Sequence, residues 1–296
     1  MSFDNAYEAL AEDHGGDESR WAFGTGFDDP LAGVDTTIPS TVDAQDLAAY
    51  CVMLGDDALV LSQRLTEWVT GAPELEDEVA LANIALDLLG QARLLLARAG
   101  QSDGSDRSED DLAYWRDDRQ FRNVRLVECP NGDFAETIAR LLVFSTWRLA
   151  VLSRLTDSVD PVLAAIAAKG VKELTYHREY AAKWAVRLGD GTAYSAERMQ
   201  AGLDAVWPLV AELFTTHEVE SRLARVDVTV ESSAVRDEFD TVLAQVLPAG
   251  DLSTPDRPAL GAVAGLAGRD GVHTEHLGFL LAEMQTLARA HPDAVW

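Results

Sequence analysis

Residues Glu74 to Arg98 read ELEDEVALANIALDLLGQARLLLAR, with no proline and a single glycine, Gly90. Glu74, Glu76, Asp77 and Glu78 crowd the end where a helix dipole stabilises negative charge, and Arg93 and Arg98 lie near the other end. The stretch is predicted to be one long helix. Apolar residues from Val79, Leu81 and Ile84 through Leu88, Leu89, Leu94, Leu95 and Leu96 cover most of its circumference. That predicts burial on more than one side and a central place in a helical bundle. A polar row interrupts them: Asn83, Asp87 and Gln91, spaced i, i+4, i+8 on one face.

The neighbouring stretches read the same way. Leu47, Cys51, Leu54, Ala58, Leu61, Leu65 and Trp68 alternate steps of four and three, the seam of a first helix capped by Asp43 or Asp46 and running to about Val69. Asp56 and Asp57 fall inside that seam, so at least one carboxylate is expected beside apolar neighbours. Gly71 and Pro73 make a short link, which sets the first two helices antiparallel. Asp133 with Glu136 reads as a capping box for a third helix to about Arg154, and Asp160-Pro161 opens a fourth that ends near Gly189. A fifth helix, Tyr194 to Arg225, is expected to kink at Pro208, and a short sixth spans about Ser233 to Val246 after an extended piece at Val226 to Val230. A last helix follows Gly271. Residues 1–40, rich in Asp, Gly and Thr, are predicted to form an acidic N-terminal arm, helical in part at Asn5 to Glu12, and 41–296 a single all-α domain.

Composition narrows the function. Fifty acidic residues against 24 basic give a net charge of −26, which argues against nucleic acid or an anionic membrane as partner. Lysine occurs only at Lys169, Lys172 and Lys183. Such an acidic, lysine-poor balance fits a salty cytoplasm, although a GC-rich genome favours arginine too. Cys51 and Cys129 have no metal-knuckle spacing and suggest a reducing compartment. The N-terminus lacks a signal-peptide pattern, so a soluble, cytoplasmic protein is expected. The one locally basic segment, Tyr114 to Cys129, carries Arg116, Arg119, Arg122 and Arg125, expected to pair with Asp117, Asp118 and Glu128 or to serve assembly together with the final helix.

Four long helices with inward polar groups are the architecture of ferritin-like carboxylate proteins. There, two metal ions are held by a Glu from each of two helices and a Glu-x-x-His pair from each of two others. This chain supplies too few of those ligands. The first helix offers Asp56 or Asp57, the second Asp87 followed by Gly90 in place of an imidazole, the third nothing, and the fourth His177 preceded by Leu174 where a Glu belongs. Glu173 and His177, four apart, could share one face, and Asp270, His273 and His276 have metal-helix spacing at a helix start.

The segments LGDDALVLSQRLTEW, ALANIALDLLGQARLLL, FRNVRLVECPNGDFAETIARLLVFSTW, KELTYHREYAAKWAVRLGDGT and GRDGVHTEHLGFLLAEMQ resemble the C-type subunits of the bacterial and archaeal ring-1,2-phenylacetyl-CoA epoxidases, over roughly Leu47 to Trp296. The resemblance implies a ferritin-like four-helix bundle core with additional C-terminal helices. It also implies a noncatalytic structural role with no cofactor in this chain. The di-iron centre is then expected in its partner, the catalytic A-type subunit of a monooxygenase of phenylacetate breakdown. Asp57, Asp87 and His177, with Gln91, are on this reading vestigial positions of a lost metal site, closed by hydrogen bonds or a salt bridge. The alternative is a metal-dependent oxygenase with an unusual ligand set drawn from Asp57, Asp87, Glu173, His177, His273 and His276. A free-standing scaffold is a third.

Overall fold

A computed structural model describes residues 31–294. The expected helix at Asn5 to Glu12 lies outside them. Among the described residues there are nine α-helices and no strand, only an isolated bridge between Val263 and Leu266. They are α1 (Ala44–Trp68), α2 (Leu75–Ser102), α3 (Glu109–Tyr114), α4 (Phe134–Leu155), α5 (Pro161–Gly189), α6 (Ala193–Val206), α7 (Glu218–Ala224), α8 (Arg236–Ala249) and α9 (Glu275–Ala290).

Helices α1, α2, α4 and α5 form a ferritin-like bundle. Their starts follow the sequence signals. Asp43 accepts hydrogen bonds from the Gln45 and Asp46 amides, and Asp160 from the Leu163 amide ahead of Pro161 in the first turn. At α4 the capping box is half made: Asp133 accepts from the Glu136 amide, but its other carboxylate oxygen takes the guanidinium of Arg198. The short links make α1/α2 and α4/α5 antiparallel pairs, and residues 103–133 cross over between the pairs. That crossover is no surface loop. Phe121, Val124, Leu126 and Val127 are buried in the core, so its backbone amides need partners inside the protein.

The centre of the bundle is α1 and α4. Every residue from Met53 to Ser62 and from Thr137 to Leu152 is buried. The second helix is buried on more than one side, against α1 and along α5, but not over its whole apolar circumference: Leu75, Val79, Leu86 and Leu89 stay outside. By length and composition α2 could cross a membrane, yet half of its most apolar window is buried within the fold. Gly90 sits in mid-helix, where glycine costs roughly 0.5–1 kcal/mol relative to alanine. A Cβ built there meets nothing within 4 Å.

The fifth helix ends where it was expected to kink. Pro208 has no N–H to continue the ladder and its ring opposes the carbonyl four residues back, so α6 stops at Val206 and residues Trp207–Phe214 form a 3-10 helix. The segment Val226 to Val230 makes no strand; Val228 is buried and the Thr229 hydroxyl bonds that of Tyr50 at 2.7 Å. Ala264 (φ 55°) and Gly265 (φ 84°) form the left-handed tip of the turn closed by Val263 and Leu266. Glycine tolerates that conformation and alanine does not, so Ala264→Gly is expected to stabilise the chain by about 0.5–1 kcal/mol in urea unfolding.

Candidate functional site

Asp56 and Asp57 are both fully buried. Consecutive on α1, they reach opposite ways into the crossover. Asp56 accepts from the Arg122 amide at 2.8 Å and forms a two-point pair with the Arg116 guanidinium. Asp57 accepts from the Val124 amide at 2.8 Å and from both terminal nitrogens of Arg269 at 2.8 and 3.0 Å. Each carboxylate thus satisfies a buried loop amide and a buried arginine together. Arg269 also donates to the Met53 and Arg122 carbonyls, both at 2.8 Å.

A second guanidinium, that of Arg148 on α4, enters the middle of the bundle with no exposure at all. It donates through Nε to Gln91 at 3.0 Å and through Nη1 to the Leu54 carbonyl at 3.1 Å, and it stands 3.9 Å from the Asp57 carboxylate. Its Nη2 has no partner within the described protein. Burial pulls the Arg148 guanidinium down to about 10, against the attraction of Asp57, which leaves it charged at neutral pH. Burial likewise pushes the Asp57 carboxyl up, opposed by Arg269 and Arg148.

Between α2 and α5 runs a ladder of polar rungs. Asp77 accepts from the Tyr180 hydroxyl and the Trp184 indole at 2.8 and 3.0 Å, Asp87 pairs with His177 Nε2 at 3.0 Å, and Gln91 donates to Glu173 at 2.9 Å. Rising numbers on α2 meet falling numbers on α5, so the two helices are antiparallel. Glu173 also takes the ammonium of Lys169, and His177 is fully buried with Nδ1 unpartnered. The row Asn83, Asp87, Gln91 is therefore inclined: Asn83 is exposed, the Asp87 side chain 35% exposed and Gln91 buried.

The four expected vestigial positions are not one network. Asp57 and Gln91 meet through Arg148, whereas Asp87 and His177 pair with each other one turn away. His273 and His276 are elsewhere. His273 Nδ1 lies 2.6 Å from Glu128, a fully buried carboxylate that also accepts from Asn123 and from the Thr274 amide and hydroxyl. His273 Nε2 meets the Phe121 carbonyl at 3.0 Å, so this knot fixes the start of α9. His276 contributes its carbonyl, to Arg64. The arginine pairings also differ from expectation: Arg116 reaches Asp56 and Arg125 reaches Glu212 at 2.7 Å, both arginines buried, so half of the basic patch is core. Both cysteines are free, and burial pushes their thiols up, Cys129 to about 11, so neither is a nucleophile at neutral pH.

Two divalent cations would need a shell of anions and imidazoles open toward one point. At the centre of this bundle α4 contributes a cation, and Asp57 is committed to another. Leu174 is buried apolar core, and Gly90 has no side chain to offer. Among the described residues no three His, Cys, Asp or Glu side chains come together as a metal set. These residues do not fit a dinuclear metal. Arg148 and Arg269 were missed in the sequence because only anions and imidazoles were counted there. The signal existed: Arg148 lies in LLVFSTWRLAVL, where a lone guanidinium among apolar residues requires an anion from another helix.

An all-α ferritin-like bundle whose central positions hold arginine–carboxylate pairs defines a class: carboxylate-bundle proteins that keep the fold without the ligand set. The chain belongs to the phenylacetic acid catabolic protein family, whose model matches residues 33–296. It is 45% identical over 250 residues to the C subunit of the 1,2-phenylacetyl-CoA epoxidase of Escherichia coli (strain K12), covering 84% of this chain and 99% of that protein.

Proposed function

We propose that this chain is the noncatalytic structural subunit of a multicomponent ring-1,2-phenylacetyl-CoA epoxidase. In this reading it is a cytoplasmic protein that carries no cofactor and pairs with a di-iron catalytic A-type subunit. One observation carries the reading: the guanidinium of Arg148, with no exposed surface, occupies the place on α4 that faces Asp57 and Gln91. A fixed positive charge there repels a metal ion and holds the surrounding acceptors in one arrangement. A polar network of this kind can set helix register while adding little net stability. The likeness to an epoxidase component supplies the setting. The split of the six alternative ligands among three separate places speaks against the oxygenase reading.

The test is reconstitution. Phenylacetyl-CoA turnover, with reductant and oxygen supplied, is expected from a mixture of this chain, the electron-supplying component and the catalytic subunit, and from none of them singly. Turnover that persists undiminished when this chain alone is omitted, or that this chain sustains without the catalytic subunit, contradicts the reading.

A further inference from the structure

All three lysines of the chain, Lys169, Lys172 and Lys183, lie on α5, which also carries Arg178 and Arg187 against only Glu173 and Glu179. In a chain of net charge −26 that helix is an exception. α4 also has more basic than acidic residues, but Arg140 and Arg148 are buried and Arg154 pairs with Glu238. On α5 the cations face out. Lys169, Lys172, Lys183 and Arg187 follow one another by three, eleven and four residues, so they share one side of the helix. Lys169 is matched locally by Glu173 and Lys183 by Glu179, whereas Lys172 and Arg187, both exposed, meet no carboxylate among the described residues. The acidic first turn of α2 adjoins the far end of α5, where Asp77 reaches Tyr180 and Trp184, so the end around Lys169 and Lys172 is the more positive.

The described chain begins beside that same end. Arg98 joins the Thr36 carbonyl to Asp160, the cap of α5. Residues 1–30, outside the described ones, carry eight acidic side chains against Arg20 alone, and the family match begins only at residue 33. So acidic a segment is repelled by a surface that is acidic overall and attracted by this stripe. Reach is no obstacle: thirty residues extend to about 100 Å, and α5 is roughly 43 Å long. Tethering adds an effective concentration on the order of millimolar, so ion pairs that are each weak act together.

We propose that the acidic N-terminal segment, residues 1–30, docks along the basic stripe of α5 in the same chain, meeting Lys169 and Lys172 first. The proposal goes beyond the structural-partner reading and does not depend on it. Carbodiimide coupling tests it, since that reagent joins a carboxylate to an amine in contact with it and every lysine of the chain is on α5. In the full chain in dilute buffer, cross-links are expected from carboxylates of residues 1–30 to Lys169 or Lys172, found by peptide mass spectrometry. They should disappear near about 1 M NaCl, where the Debye length falls to about 3 Å. A mixture of isotope-labelled and unlabelled chains should show them within chains and not between chains. Cleavage gives a second reading, because Arg20 is the sole trypsin site of the segment. Lys172→Glu with Lys183→Glu alters exposed side chains only, so Tm is expected to hold to within a few degrees. In that double variant Arg20 is expected to be cut about tenfold faster, as the undocked population rises. Arg225→Glu, exposed but off the stripe, should be cut as the unaltered chain is. Lysine cross-links confined to Glu173 and Glu179, or a cleavage rate at Arg20 that the double variant leaves unchanged, would overturn the proposal. Cross-links that join labelled to unlabelled chains would give the stripe to a second copy's segment and overturn it equally.

Discussion

Replacing Arg269 with alanine is expected to destabilise the protein by about 3–5 kcal/mol at neutral pH, the cost of leaving one partner of a buried ion pair behind. Arg269 supplies two of the hydrogen bonds to Asp57. Without it the carboxylate keeps the Val124 amide and a guanidinium 3.9 Å away, in a place with no access to water. The loss should depend on pH in a stated direction. Burial already pushes Asp57 up, and removing Arg269 takes away the largest opposing effect. A carboxyl raised in the folded state resists ionisation there, so its penalty is absent below the ordinary carboxylate range and grows as pH rises toward the folded value. Urea unfolding at pH 4 and 7.5 should therefore show a smaller difference from the unaltered protein at the lower pH. Asp57→Asn combined with Arg269→Met removes both charges and is expected to cost less than Arg269→Ala alone. A single variant within about 1 kcal/mol of the unaltered protein at neutral pH would mean that Asp57 is not held as described.

Asp160→Ala is the second large effect, because this carboxylate has two duties. It caps α5 through the Leu163 amide and pairs with Arg98 near the end of α2, both side chains being buried. Arg98 in turn donates to the Thr36 carbonyl at 2.7 Å and so fastens the stretch that leads into α1. Losing the cap costs about 1 kcal/mol, and stranding the guanidinium adds about 3–5 kcal/mol. Asp160→Asn keeps a capping oxygen but still strands the guanidinium, so it should lose only about 1 kcal/mol less than Asp160→Ala. Denaturant melts of the two variants separate the contributions, and an Asp160→Asn variant as stable as the unaltered protein would show that the charge is irrelevant.

Much of the architecture could be read from short-range signals, because helix caps and apolar spacing act over a few residues. Asp43, Asp160-Pro161 and the α1 seam from Leu47 to Leu65 give helices where expected. What escaped was long-range. Asp56 finds Arg116 sixty positions away and Asp57 finds Arg269 across 212, and no spacing rule connects them. The scarcity of lysine held part of the answer. Arginine's planar fork can pair a buried carboxylate at two points, so a chain that keeps Arg98, Arg116, Arg148 and Arg269 in its interior has a structural use for arginine apart from any surface adaptation. The apolar circumference of α2 was also visible, but a helix pattern cannot say whether the side facing away from its neighbours meets its own chain or another.

The function proposed for this protein depends on the bundle centre being closed by its own cations. The decisive measurement is iron and manganese per chain, by elemental analysis of protein expressed alone in medium supplied with both metals. A closed centre gives a content far below one ion per chain, unchanged by Asp87→Asn. A stoichiometric ion that is lost on Asp57→Asn or Asp87→Asn would place a metal where Arg148 and Arg269 are described, and would contradict it.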